Sequence, residues 1–288
     1  MIVKAKDRKY IETRLEHFAH QEEINILFAV ESGSRVWGFS SEDSDYDVRF
    51  VYLYRDKKRY TDLFVEPAPQ ITKKWENEFG LEVDVVGWEL KKYLNLLHKS
   101  NCTAVEWLVS PILYNAHKNA TDWRALNNAR AVIMKFAYPT IDYFKVFKHY
   151  ISMAKANYMK YIGRYDYETH VTAKKYLYVL RGIFASAYAS MKQQVPILDV
   201  IDLAGNTIPH ILERLGIEGD YALKKLESII ELKNDTEETT MVRDGWLDAL
   251  IETYFDRYEY DGEELNLPKT ERILRDNLYN EYYRMWMK

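Results

Sequence analysis

Cysteine occurs once in the 288 residues, at Cys102. That excludes an intramolecular disulfide and a cysteine-based zinc site, and it suits a reducing compartment. Long hydrophobic runs are missing too: nothing approaches the roughly 18–20 apolar residues that a spanning helix needs. The opening "MIVKAKDRKYIETRLEHF" has no apolar centre of the kind a secretory signal carries, and it reads as an amphipathic helix. These absences predict a cytoplasmic protein without a membrane partner. There is no Walker A loop, dinucleotide-binding glycine fingerprint, H-E-x-x-H or G-x-S-x-G, so P-loop ATPase, dehydrogenase, zinc protease and α/β-hydrolase chemistries find no support. A large charge imbalance is also lacking. The formal net charge is −4, so the chain as a whole is not a polyanion binder.

What is present is a globular composition, 47% hydrophobic and 29% charged, with 24 tyrosines. The first 116 residues alternate signals. "INILFAVES" (24–32), "YDVRFVYLY" (46–54) and "LEVDVVGW" (81–88) read as strands, being short and rich in β-branched and aromatic residues. Helical spacing surrounds them at 10–23, 89–100 and 103–109, and a short "PILYN" follows. Beyond about residue 120 the pattern is helical throughout: 120–136, 139–163, 170–192, 206–216, 219–233, 242–257 and 268–287. The expected fold class is α+β, a small mixed sheet with helices at 1–116 followed by an all-helical domain at 117–288. Charge is unevenly spread over the helical half. Residues 145–192 hold nine Lys or Arg against two carboxylates, with eight tyrosines among them, whereas 213–264 hold sixteen carboxylates against six bases. A basic, aromatic stretch suits a nucleotide or nucleic acid, and equally a solvated helix face.

The most informative text is "ESGSRVWGFSSEDSDYDVRF" (31–50). Side chains two apart on a strand share a face, so Asp45 and Asp47 project together. Two carboxylates held side by side need a cation between them. Mg²⁺ is the natural choice, a hard ion that shares oxygen ligands with substrate phosphates. Gly33 lets the backbone approach a ligand, and Ser34 adds a hydroxyl where a short helix opens. The segment therefore sets a phosphate cradle beside a metal cradle, the equipment of phosphoryl or nucleotidyl transfer. Asp43 continues the alternation but falls in the loop "SSEDS" and reads as a turn residue. Arg49 shares the carboxylate face and reads as their charge partner. Arg35 is open between a phosphate contact and a surface position.

Gly33-Ser34, ten intervening residues and Asp45-Tyr46-Asp47-Val48 resemble the signature of the DNA polymerase beta-type nucleotidyltransferase superfamily. With "EVDVVGWEL" and "EWLVSPILY" further on, the text is most similar to the RNA-repair-pathway DNA polymerase beta family, closely over 24–115 and more loosely beyond. The resemblance implies a polymerase-beta-like core and Gly33 and Ser34 on the β- and γ-phosphates of an NTP. It also implies two Mg²⁺ ions, or Mn²⁺ in their place, on Asp45 and Asp47, and a third carboxylate on a later strand. "Val83-Asp84-Val85" supplies Asp84 for that place, with Glu82 the alternative on the same strand face. The implied chemistry is in-line attack on the α-phosphorus with pyrophosphate leaving, and the implied acceptor is an RNA 3′ end. A protein side chain or a small molecule is the alternative acceptor. Glu106-Trp107 matches the family text and reads as packing.

In the helical half, Leu177, Leu180, Phe184, Ala187 and Met191 form a core stripe. Lys174, Tyr178 and Arg181 form a second stripe beside it, repeated one helix earlier by Lys148, Ser152 and Lys155. Lys174, Tyr178 and Arg181 are accordingly expected to bind NTP, the cations on the triphosphate and the tyrosine on the base. Two rival readings remain. Arg164 and His170 have the spacing of a helical ribonuclease element, and a nucleotide-binding protein without catalysis would need the cradle but not Asp84.

Overall fold

The computed structural model describes residues 3–78, 80–116, 123–164, 170–217, 221–235 and 239–261, and residues 276, 279, 280, 283 and 284 near the C-terminus. Two compact units are present. The first comprises 1–36, 45–141 and 269–288, the second 37–44 and 142–268. The expected helix at 268–287 lies mostly outside the described residues. Among the described residues no helix is long and apolar enough to cross a membrane.

The first unit runs α1 (Ala5–Gln21), β1 (Ile24–Glu31), α2 (Gly33–Val36), β2 (Tyr46–Tyr54), α3 (Lys58–Thr61), β3 (Gln70–Glu76), β4 (Glu82–Glu89), α4 (Leu90–His98), α5 (Cys102–Val109), β5 (Leu113–Tyr114) and α6 (Trp123–Ala137). The five strands make one mixed sheet in the order β3-β4-β2-β1-β5. β2 lies parallel to β4, and the other pairs are antiparallel. β3 was not anticipated. Its sequence "QITKKWE" buries Trp75 alone, as an edge strand does when lysines face solvent.

Alternation on β2 decides where chemistry can sit. Tyr46, Val48, Phe50 and Tyr52 join Val83 and Val85 of β4 in the core beneath Ile11, Leu15 and Phe18 of α1. The alternate residues Asp47 and Arg49 point the other way and are half-buried. Further along that second face, Trp88 stacks on Trp107 of α5 at 3.8 Å, and Phe28 meets Tyr93 of α4. The packing reading of Trp107 agrees with this. α4 and α5 thus cover one end of the face and leave the carboxylate end accessible.

The second unit contains α7 (Tyr143–Tyr161), β6 (His170–Thr172), α8 (Ala173–Lys192), α9 (Val200–Leu215), α10 (Tyr221–Asp235), β7 (Thr240–Val242) and α11 (Gly245–Asp261). β6 and β7 pair as a small antiparallel ribbon, so the purely helical expectation is corrected at these six residues. α9 begins six residues earlier than its spacing suggested, because Asp199 caps it by accepting from the N–H groups of Ile201 and Asp202. α7 and α8 pack closely where Gly182 faces Ala154 and the Tyr150 carbonyl. Leu177, Leu180, Phe184 and Ala187 are buried as the core stripe requires, and Met191 is half-buried. Inside this unit Asp248 is buried and accepts from Tyr176 Oη (2.8 Å) and Arg243 Nη2 (2.7 Å). Residues 37–44 belong here: Val200 N–H donates to Trp37 O, and Lys233 Nζ donates to Ser41 Oγ.

Candidate functional site

The end of β1 and the start of β2 are joined by the Ser32 N–H donating to Asp47 O at 2.9 Å. Gly33 follows with φ +68°, a backbone region that an L side chain enters at a cost. A Cβ there would overlap Asp47 Oδ2. Glycine is required at this position twice over, by its dihedral and by the carboxylate against it. The two halves of the motif, fourteen residues apart in sequence, therefore touch through Gly33 and Asp47. Ser34 is buried beside them.

Parallel pairing of β2 with β4 puts Asp47 directly opposite Asp84. Arg49 closes the pair. Its Nη2 lies 2.6 Å from Asp47 Oδ1 and 3.1 Å from Asp84 Oδ2, and its Nη1 donates to Asp84 O at 3.0 Å. Glu82, the alternative third carboxylate, pairs instead with Lys74 of the edge strand. That contact, with a smaller contribution from Asp45, raises the Lys74 ammonium above its ordinary pKa. Asp45 precedes β2 and is exposed. Among the described residues no three His, Cys, Asp or Glu side chains are gathered closely enough to hold a metal ion. Asp47 and Asp84 are brought together; Asp45 is not drawn in with them.

These residues nonetheless fit a divalent cation. Their donors are carboxylate oxygens, the class that Mg²⁺ prefers, and Arg49 already places one positive group between two of them. A guanidinium in that position balances charge without a metal. Both carboxylates are partly exposed, so the pair contributes about 1 kcal/mol or less. We expect Arg49→Gln to lower the Tm of the metal-free protein slightly and to make Mg²⁺ a stronger stabiliser than it is for wild type. Equal Mg²⁺-induced gains in melting temperature would contradict this role.

Lys174, Tyr178 and Arg181 fall on one side of α8 in the second unit. Tyr178 meets Trp37 edge-on at 5.8 Å and Phe39 at 6.1 Å. The Arg181 side chain is 2% exposed, its guanidinium 4.2 Å from the Trp37 ring centre and 5.7 Å from that of Tyr150. Lys174 is half-buried with Nζ 6.0 Å from the Tyr178 ring centre. Asp43 sits in an exposed turn. Arg35 is buried over the ring of Tyr46 at 3.8 Å, turned into the core. Residues 165–169, between Arg164 and His170, lie outside the described residues.

Glu31 was given no role by the sequence reading. It is fully buried, and burial pushes its carboxyl up to about 7 against the lowering pull of Tyr114, the Asp47 amide and Arg35. A signal for it exists: a carboxylate directly follows the apolar run "ILFAV" (26–30), next to a glycine turn.

Comparison with known proteins bears on this arrangement. The Bacillus subtilis (strain 168) protein YcgL, itself described as uncharacterized, is 32% identical over 272 residues, covering 91% of this chain and 92% of its own length. A solved nucleotidyltransferase-like protein from Exiguobacterium sibiricum 255-15 aligns over 97% of this chain and 91% of its own at 13% identity, with a TM-score of 0.32, a likeness too distant to carry structural detail. Residues 8–283 match the RNA repair pathway DNA polymerase beta family, so the chain belongs to that family and is a polymerase beta-type nucleotidyltransferase.

Proposed function

We propose that the protein transfers NMP from an NTP to the 3′ hydroxyl of an RNA, releasing pyrophosphate, with Mg²⁺ bound by Asp45, Asp47 and Asp84. The observation that carries this reading is Asp47, opposite Asp84 across parallel strands and in contact with the Gly33 turn. Bound there, Mg²⁺ would favour the alkoxide form of the acceptor and offset the charge on the departing pyrophosphate. Gly33 offers backbone approach and Ser34 a hydroxyl to the β- and γ-phosphates. Asp84, half-exposed, receives the proton as the acceptor oxygen bonds to the α-phosphorus and the bond to the bridging oxygen breaks. Arg49 must leave the carboxylates for this to happen, and its contacts are on a partly exposed face that permits it. The family name supports RNA as the acceptor.

The test is incubation with each α-labelled NTP, with and without single-stranded RNA, in Mg²⁺. Label that extends the RNA by one or more nucleotides is the expected result. Label that migrates with the protein would replace RNA by a protein acceptor, and no incorporation with any NTP would contradict transfer.

A further inference from the structure

Glu31, which has no role in the proposed chemistry, ties several elements of the site together. Its Oε1 accepts from the Asp47 N–H at 3.0 Å and lies 3.5 Å from Arg35 Nε. Its Oε2 accepts from Tyr114 Oη at 2.6 Å. Its main chain is tied as well, with Ser110 Oγ donating to its carbonyl at 2.7 Å and its N–H donating to Ile112 O at 3.0 Å. One fully buried carboxylate thus joins β1, β2, β5 and α2. The network runs on: Arg35 lies over the Tyr46 ring, and Tyr46 Oη donates to Asp7 Oδ2 at 2.8 Å within the core.

Net stability is a weak reason to bury a carboxylate, since its desolvation offsets much of what its hydrogen bonds return. What a carboxylate adds is direction. It accepts from groups on separate elements at once and fixes their mutual geometry. The group it fixes most directly is the amide of Asp47, whose side chain faces Asp84 and Arg49 on the accessible face. The next turn of chain is Gly33-Ser34, which abuts the same side chain. We infer that Glu31 is a positioning residue, holding the Asp47 main chain so that its carboxylate is aimed past the Gly33-Ser34 turn toward Asp84. This rests on the reading of Asp47 as a metal ligand. Partners that orient a ligand from behind commonly affect metal affinity or activity by about 10–100-fold when replaced.

The test uses the full chain with Mn²⁺ as the probe, titrated calorimetrically without nucleotide, beside thermal melting. Glu31→Gln keeps volume and one acceptor oxygen, but it puts a donor toward Tyr114 and removes the charge beside Arg35. We expect its Mn²⁺ affinity to fall by about 10–100-fold. Transfer, where assayed, should show a lower kcat with KM for NTP nearly unchanged. Amide exchange at Asp47 should be faster. Tyr114→Phe, which deletes one hydrogen bond and leaves an apolar ring in place, should give a smaller loss in the same direction. It tests the proposal even if Glu31→Gln folds poorly. Lower melting temperatures with wild-type Mn²⁺ affinity and kcat in the folded protein would overturn positioning and leave only a structural role. A wild-type protein that takes up no Mn²⁺ would contradict the metal reading, and this inference with it.

Discussion

Asp84→Ala is expected to abolish nucleotidyl transfer, with kcat falling on the order of 10⁴-fold, the scale at which a group acting in concert with the others is lost. The expectation follows from where Asp84 stands. Its side chain is 41% exposed and contributes little to the core, so the variant should melt close to wild type. NTP binding should weaken only severalfold, because Gly33 and Ser34 are untouched. Glu82→Ala is the paired control. Glu82 lies on the same strand face but is engaged by Lys74, so its loss should change kcat by less than about threefold, as a surface ion pair suggests. Transfer by labelled NTP and equilibrium NTP binding together make the check. Asp84→Ala with a substantial fraction of wild-type kcat would refute the assignment, and the reverse ranking of the two variants would move it to Glu82.

Gly33→Ala is the second large effect. The φ of +68° costs an alanine about 1–2 kcal/mol. The added methyl would also overlap Asp47 Oδ2. Either the turn moves or the carboxylate does, and displacement of a reacting geometry by about 1 Å costs on the order of 10²-fold in rate. Gly80→Ala separates the two causes. Gly80 has φ +74° with nothing within 4 Å of where its Cβ would sit, so it bears the backbone cost without disturbing the site. Equilibrium urea unfolding should show a stability loss in both variants, the larger in Gly33→Ala because the overlap with Asp47 adds to the backbone cost, with activity lost only in Gly33→Ala. Equal activity in the two would show that the Gly33–Asp47 contact has no bearing on transfer.

Much of this was legible in the sequence because the signals were periodic. The alternation in "YDVRFVYLY" divided β2 into a core face and a polar face, and the apolar bracket of Asp84 put that residue on the polar face of β4. Arg49 followed from the same period of two. β3 was missed because its polarity comes from being an edge, which no local pattern reports. The start of α9 was placed six residues late, at 206, just after Gly205, because the Asp199 cap and the apolar face that begin the helix at Val200 outweigh that glycine. The β6–β7 pairing joins residues about seventy apart, beyond any window of periodicity. Glu31 escaped because its importance lies in who meets it. The partners Tyr114, Asp47 and Arg35 come from three other elements, and only the folded chain assembles them.

The most direct test is a crystal of the protein grown with Mn²⁺ and a non-hydrolysable NTP, measured at the manganese absorption edge. The account predicts anomalous density coordinated by Asp47 and Asp84, with Asp45 drawn in, Arg49 displaced and the triphosphate over Gly33 and Ser34. Manganese bound elsewhere, with Arg49 still bridging Asp47 and Asp84 beneath the nucleotide, would contradict it.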